Sequence, residues 1–278
     1  MLFPRGFVLS VILAAVLGMS CGSHAGKSIV PQIPGYSDKS KQEFILDDDL
    51  LEVSGICYIN ENKMAAVNDE RGELFIIDLT NGAKTATTFA GKGDYEEVVK
   101  ADTNFFVLQS RGDIYEVTNT NKKKRYKFDL EKKIEFESMV WYPGRGKLVL
   151  ISKEQRKRHG GIIAYAFDVA TRKFDPEPVF KIPYKDIFTK LEDYSAECKP
   201  SGAAINPVNN KLYIIASVGK VLLECDVNGR LERVYKLNPN HFPQPEGISF
   251  AANGDMYVSN EGLQGKATIL KFPYVASK

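Results

Sequence analysis

Beyond Lys41 the chain is built from short runs of apolar residues, many alternating with polar ones and separated by turns rich in Gly, Asn, Asp and Pro, which is the pattern of half-buried β-strands. Five of these runs share one form. Segments 52–56, 95–99, 136–140, 200–204 and 245–249 each carry Glu or Ser, then a usually small residue, then an apolar stretch. Aligning Ser54, Glu96, Glu137, Ser201 and Glu246 gives separations of 42, 41, 64 and 45 residues, the third enlarged by an insertion. Each copy continues through a turn into a second strand (64–67, 105–108, 148–151, 212–215 and 256–258), and then a third (for example 74–78, 114–117, 162–167 and 221–225). Fourth strands are expected at 85–89, 125–128, 178–182 and 233–237.

Four strands per unit of this length predict an all-β chain folded as a five-bladed β-propeller with four-stranded antiparallel blades. Helical bundles and doubly wound α/β sheets are excluded by the spacing. The last copy has only three strands, ending at 268–272, while an unassigned strand at 43–46 precedes the first copy. An N-terminal strand pairing with the C-terminal blade would close the ring and leave no open sheet edge. The latter part of 182–194, inside the insertion, has apolar residues at near-helical spacing and predicts a short surface helix.

The first twenty residues differ from the rest: Arg5 is their one charge, and the apolar run 7–19 is shorter than a comfortable membrane span. They read as a signal peptide (1–20), followed by a tether (21–41) rich in Ser, Gly, Pro and Lys, with the propeller occupying 42–278. Gly18, Met19 and Ser20 before Cys21 resemble a bacterial lipoprotein box, with lipid attached at Cys21. Gly18 stands where leucine is preferred, so plain secretion is the alternative. The expected location is the cell envelope, with a lipid anchor facing the periplasm as the only membrane contact.

Lys+Arg 37 against Asp+Glu 35 leaves a net charge of +2, so no bulk electrostatic grip on nucleic acid is expected. Cys57, Cys198 and Cys225 remain after Cys21, an odd number without a C-x-x-C pair, which argues against a disulfide framework. The chain has no H-E-x-x-H, G-x-S-x-G, Walker-type loop or G-x-G-x-x-G. Its histidines, His24, His159 and His241, are too few and scattered for a histidine-built zinc site.

In an antiparallel blade the start of strand one and the end of strand two share one end of the sheet. One mouth therefore collects Ser54, Glu96, Glu137, Ser201 and Glu246, with Glu52 and Glu97 beside them, and also Asp69-Glu70, Ser110-Arg111, Lys153-Glu154, Ser217 and Asn260-Glu261. The opposite rim is expected to carry only ordinary hairpin turns. Glu96, Glu137 and Glu246 should face one another across the channel. Calcium, which takes six to eight oxygens in flexible geometry, suits such a site, with Ser54 and Ser201 as further oxygens. The alternative is that these glutamates pair with Lys153, Arg111 or strand-end N–H groups, or are hydrated in the channel. Gly55, Gly202 and Gly247 are explained by backbone crowding at the axis.

The chain carries Leu-Glu-Val-Ser-Gly-Ile (51–56), Gly-Asp-Tyr-Glu-Glu-Val (93–98), Lys-Pro-Ser-Gly-Ala (199–203), Phe-Pro-Gln-Pro-Glu-Gly-Ile (242–248) and Val-Ser-Asn-Glu-Gly (258–262) in that order. These motifs give it, from Gln42 to Tyr274, a resemblance to the SdiA-regulated domain proteins, bacterial envelope proteins distantly related to NHL-type propellers. The resemblance implies a five-bladed propeller with a calcium site near the axis, and no established activity. Phe136-Glu137-Ser138 departs from the Phe-Glu-Gly expected there; it keeps the carboxylate but sets a side chain where glycine would allow tight backbone approach.

Two functions follow as expectations. One is a calcium-stapled module binding a small molecule, glycan or envelope protein. The other is a calcium-dependent hydrolase of phosphoesters, esters or lactones, with Glu70, Glu261 or His241 as base and Arg111 or Lys153 stabilising negative charge.

Overall fold

The structure, a computed structural model, describes residues 33–130, 134–153, 160–263 and 265–276. The predicted signal segment, Cys21 and most of the tether lie outside the described residues, as do Glu154 and His159. Among the described residues no helix is long and apolar enough to cross a membrane.

The sequence repeat becomes a ring of five antiparallel blades. Blade 1 is Val53–Asn60, Lys63–Asn68, Arg71–Asp78 and Lys84–Lys92. Blade 2 is Tyr95–Ala101, Asn104–Gln109, Ile114–Val117 and Lys123–Tyr126. Blade 3 begins with Phe136–Tyr142, Lys147–Ser152 and Gly161–Asp168. Blade 4 is Lys199–Asn206, Lys211–Val218, Val221–Cys225 and Leu231–Lys236. Blade 5 takes Pro245–Phe250, Met256–Asn260 and Thr268–Phe272 from the C-terminal end, and its outermost strand, Gln42–Ile45, from the N-terminal end. That closing strand runs antiparallel to Thr268–Phe272 from Gln42 opposite Lys271 to Ile45 opposite Thr268. Each innermost strand packs against the next, and that of blade 5 against that of blade 1.

Blade 3 departs from the expected outer strand. Two short pieces, Lys173–Phe174 and Phe180–Pro183, both pair with Gly161–Asp168. Pro176 and Pro178 lie between them, and a proline has no N–H to give a ladder, so the strand is interrupted there. The predicted helix is present at Tyr184–Leu191, and Tyr184, Ile187, Phe188 and Leu191 bury one face in the core between blades 3 and 4. Glu192 closes it in the left-handed conformation.

Five hydrophobic clusters fill the five gaps between neighbouring blades. Between blades 2 and 3, for instance, Phe106, Leu108, Met139 and Leu150 are fully enclosed. Each such side chain contributes roughly 1.5–3 kcal/mol by leaving water, so the ring is held by side-by-side burial while the channel is free to carry polar groups.

Candidate functional site

All five innermost strands break register at the same place. Pairing skips a residue between Tyr95 and Glu97, Phe136 and Ser138, Pro200 and Gly202, and Pro245 and Gly247, and shifts between Val53 and Ile56. The residues left over are Glu96, Glu137, Ser201 and Glu246, with Ser54 inside the blade 1 shift. A β-bulge bends its strand and re-aims the extra side chain. The five positions aligned by the sequence repeat are thus five bulges around one mouth.

A cavity of about 350 Å³ opens there, lined by Ser54, Asp69, Asp94, Glu96, Ser110, Glu135, Glu137, Lys153, Gln244, Glu246 and Glu261. Glu96, Glu137 and Glu246 do meet, and Asp69, Lys153 and Glu261 join them from the ends of the second strands. An adjoining recess shares Glu137, Lys153, Gln244 and Glu246 and adds Ser201, Ser217, Lys199 and Lys220. Asp94, Glu135 and Gln244 were not anticipated. They stand two residues before the bulge in blades 2, 3 and 5, as Glu52 does in blade 1, so the repeat carried their signal. A recurring backbone bond fixes this outer ring: Asp69 N–H donates to the Glu52 carbonyl at 3.2 Å, Ser110 to Asp94 at 2.9 Å, Lys153 to Glu135 at 2.9 Å and Glu261 to Gln244 at 2.9 Å.

Seven carboxyl groups share the main cavity with one ammonium among the described lining residues. Lys153 lies 2.5 Å from Glu137. Glu96 is pushed up to about 9 by burial and then by the charge of Glu137. Glu246 rises to about 7, chiefly through burial, although a Ser217 hydrogen bond opposes the rise. Asp69 also rises to about 7, from burial and the neighbouring Glu52, and its Oδ1 is buried with no hydrogen-bond partner. Burial raises Glu137 as well, against the pull of Lys153. These oxygens fit a hard cation by chemistry and by deficit of positive charge. Among the described residues, however, no three His, Cys, Asp or Glu side chains are gathered as a ligand cluster.

Other residues singled out from the sequence fall elsewhere. The Ser201 hydroxyl donates to the Pro245 carbonyl at 2.7 Å and accepts from Ser217 N–H at 3.2 Å, tying blade 4 to blade 5. Glu70 and Arg111 are exposed and do not line the cavity. His241 is half-buried outside it; its Nδ1 is buried without a partner, and its carbonyl accepts from Asn260 at 3.3 Å. Cys57, Cys198 and Cys225 form no disulfide, and burial pushes the thiols of Cys57 and Cys225 up to about 12, which disfavours the thiolate at neutral pH.

Glu97 has a different place from Glu96. It occupies the position that Gly55, Ser138, Gly202 and Gly247 hold in the other blades, next to the axis. A Cβ on Gly55 would lie 2.2 Å from Glu97 Oε1, so Gly55 leaves room that this side chain fills. Its Oε1 accepts the Val98 N–H at 3.0 Å, and the Ala203 N–H of blade 4 also supports the carboxyl. Burial still raises it well above the usual carboxylate range.

Solved structures of the same fold include a luciferin-regenerating enzyme at 11% identity, covering 85% of this chain and 98% of that one with a TM-score of 0.51. Regucalcin from Agrobacterium tumefaciens, described as a calcium-binding protein, is similar at 12% identity, 85% and 94% coverage and a TM-score of 0.51. A nidogen/laminin complex matches at 11% identity, 75% and 72% coverage and a TM-score of 0.51. No match to a curated protein was found. The SdiA-regulated family model spans residues 50–262, from just before the first bulge to just past Glu261, and the chain belongs to that family.

Proposed function

We propose that the protein is an exported, lipid-anchored calcium-binding propeller of the cell envelope, whose acidic mouth holds the ion and with it a small molecule, glycan or protein partner. The observation that carries this reading is the crowd of bulge-mounted carboxyls around one ammonium. Glu96, Glu137 and Glu246 would hold the ion, with Asp69 and Ser54 beside them, and Lys153 would give up Glu137 to it. Bound there, calcium would supply the missing positive charge and polarise an oxygen of the ligand. The calcium-binding relative of the same fold supports the reading.

Calorimetric titration of the purified protein with calcium tests it. The expected dissociation constant is on the order of 10⁻⁴ M or tighter, weakened at least about tenfold by Glu96→Gln or Glu246→Gln. Absence of binding heat, together with melting unchanged by a chelator, rejects the metal.

One observation favours a second reading as a calcium-dependent hydrolase of phosphoesters, esters or lactones. Asp69 lines the cavity and carries a buried oxygen without a partner, and near 7 its carboxyl is suited to accept a proton at neutral pH. Turnover on such substrates, lost in Asp69→Asn while calcium still binds, would select the enzyme over the binding module.

A further inference from the structure

The innermost strands end, on the face away from the acidic mouth, in a second concavity of about 710 Å³. The sequence predicts only hairpin turns there. Every blade contributes to its wall, through Tyr58, Val99, Trp141, Ala204 and Phe250 among others, and the surface is mainly apolar. Its described lining contains three ionisable charges. Lys100, near the end of the innermost strand of blade 2, and Arg145, in the turn that follows the innermost strand of blade 3, are both exposed cations; Glu97 lies at the axis, one residue before Val98. Glu97 is 1% exposed, and its Oε2 is buried without a hydrogen-bond partner. An enclosed carboxyl oxygen left unpaired is costly, and a concave apolar surface with a few convergent polar groups is how small-molecule sites are built.

We propose that this basin binds a small amphipathic hydroxy acid, with its apolar body against Tyr58 and Trp141, its carboxylate at Lys100 and Arg145, and its hydroxyl at Glu97 Oε2. The charges select the ligand. Two cations at the rim favour an anion over a neutral or cationic head, the apolar wall favours a hydrocarbon or aryl body, and the unpaired oxygen at depth favours a hydroxyl. The site is independent of any ion at the opposite mouth, since no residue proposed to hold the ion lines the basin.

Trp141 is the sole tryptophan of the chain, so its emission reports the basin alone. Titrating the protein, in chelator, with 10-hydroxydecanoate, decanoate, 1-decanol and decyltrimethylammonium tests the proposal. The expected result is a saturable emission shift with 10-hydroxydecanoate at a dissociation constant on the order of 10⁻⁴ M, about threefold or more weaker for decanoate and about tenfold weaker for 1-decanol and the cation. Lys100→Ala and Arg145→Ala, both away from the core, should each lower affinity for the acids about fivefold and leave that for 1-decanol unchanged, with melting preserved. No saturable shift, equal affinity for acid and alcohol, or a preference for the cation overturns the proposal. Equal binding of decanoate and 10-hydroxydecanoate overturns the contact to Glu97.

Discussion

The Lys153 ammonium stands 2.5 Å from the Glu137 carboxylate, while Glu96, one blade away, faces the same cavity and is pushed up to about 9 by burial and by Glu137. The mouth therefore has an internal cation that answers one carboxyl and leaves the others to protons or to an ion.

Lys153→Met separates these possibilities. Loss of the partly exposed ion pair should cost the metal-free protein about 1 kcal/mol, a modest figure because water screens the pair. Calcium affinity should rise about three- to tenfold, since the ion no longer competes with the ammonium for Glu137. Calorimetry and melting with and without calcium read both effects; weaker calcium binding in the variant would mean that Lys153 helps to build the site.

The pH dependence has a definite sign. Glu96 goes from an ordinary 4.5 to about 9 in the folded protein, so between those values the folded state holds a proton that the unfolded chain has released. Stability from this source is complete below about 4.5 and is lost as pH rises through about 9, with Asp69 and Glu246 adding to the loss around 7. Melting in chelator should fall from about pH 5 to pH 9, and Glu96→Gln should flatten the decline. The increase in melting temperature on adding calcium should grow over the same range, because at low pH the ion competes with protons.

Much of this was legible in the sequence because a repeat makes five independent copies of each signal. Ser54, Glu96, Glu137, Ser201 and Glu246 could be aligned without knowing that each is a bulge, and the missing strand of blade 5 could be assigned to residues before the first copy. The bulges were not legible: alternation with period two does not register an extra residue on one strand. For the same reason Glu96 and Glu97 looked like neighbours at one mouth, whereas the skipped pairing between Tyr95 and Glu97 gives one to the mouth and the other to the axis. The basin on the far face escaped because Val99, Trp141 and Phe250 have the same apolar character whether they fill a core or line a hollow.

Gly55 tests the crowding at the axis. A Cβ there would lie 2.2 Å from Glu97 Oε1, but also 2.5 Å from Glu97 Cα and 2.8 Å from Val98 N. Gly55→Ala should therefore destabilise the protein by roughly 3 kcal/mol or more, and adding Glu97→Ala should recover only part of it, since the backbone of blade 2 must also move. Gly91→Ala is the control: its Cβ would meet nothing within 4 Å, and its effect should stay within about 0.5 kcal/mol. Chemical denaturation of the three variants measures the difference.

The ring closure makes the strongest demand on residues outside the family match, which ends at 262 and begins at 50, whereas Gln42–Ile45 and Thr268–Phe272 lie beyond it on either side. Phe44 packs on the cluster between blades 5 and 1, Leu46 is buried within it, and Leu46 N–H donates to the Ala267 carbonyl at 2.8 Å. Removing residues 1–46 strips that apolar area and leaves Thr268–Phe272 as an open edge, ready to pair with another chain. The expected loss is about 3–5 kcal/mol, with dimers or larger species by size-exclusion chromatography. Leu46→Asp in the full chain should show the same loss of stability without the open edge, so it should melt early yet elute as a monomer below its melting temperature. A truncated protein that stays monomeric and melts with the intact one would show that blade 5 holds its place with three strands, and that the closing strand is an ornament of this chain rather than the clasp of its ring.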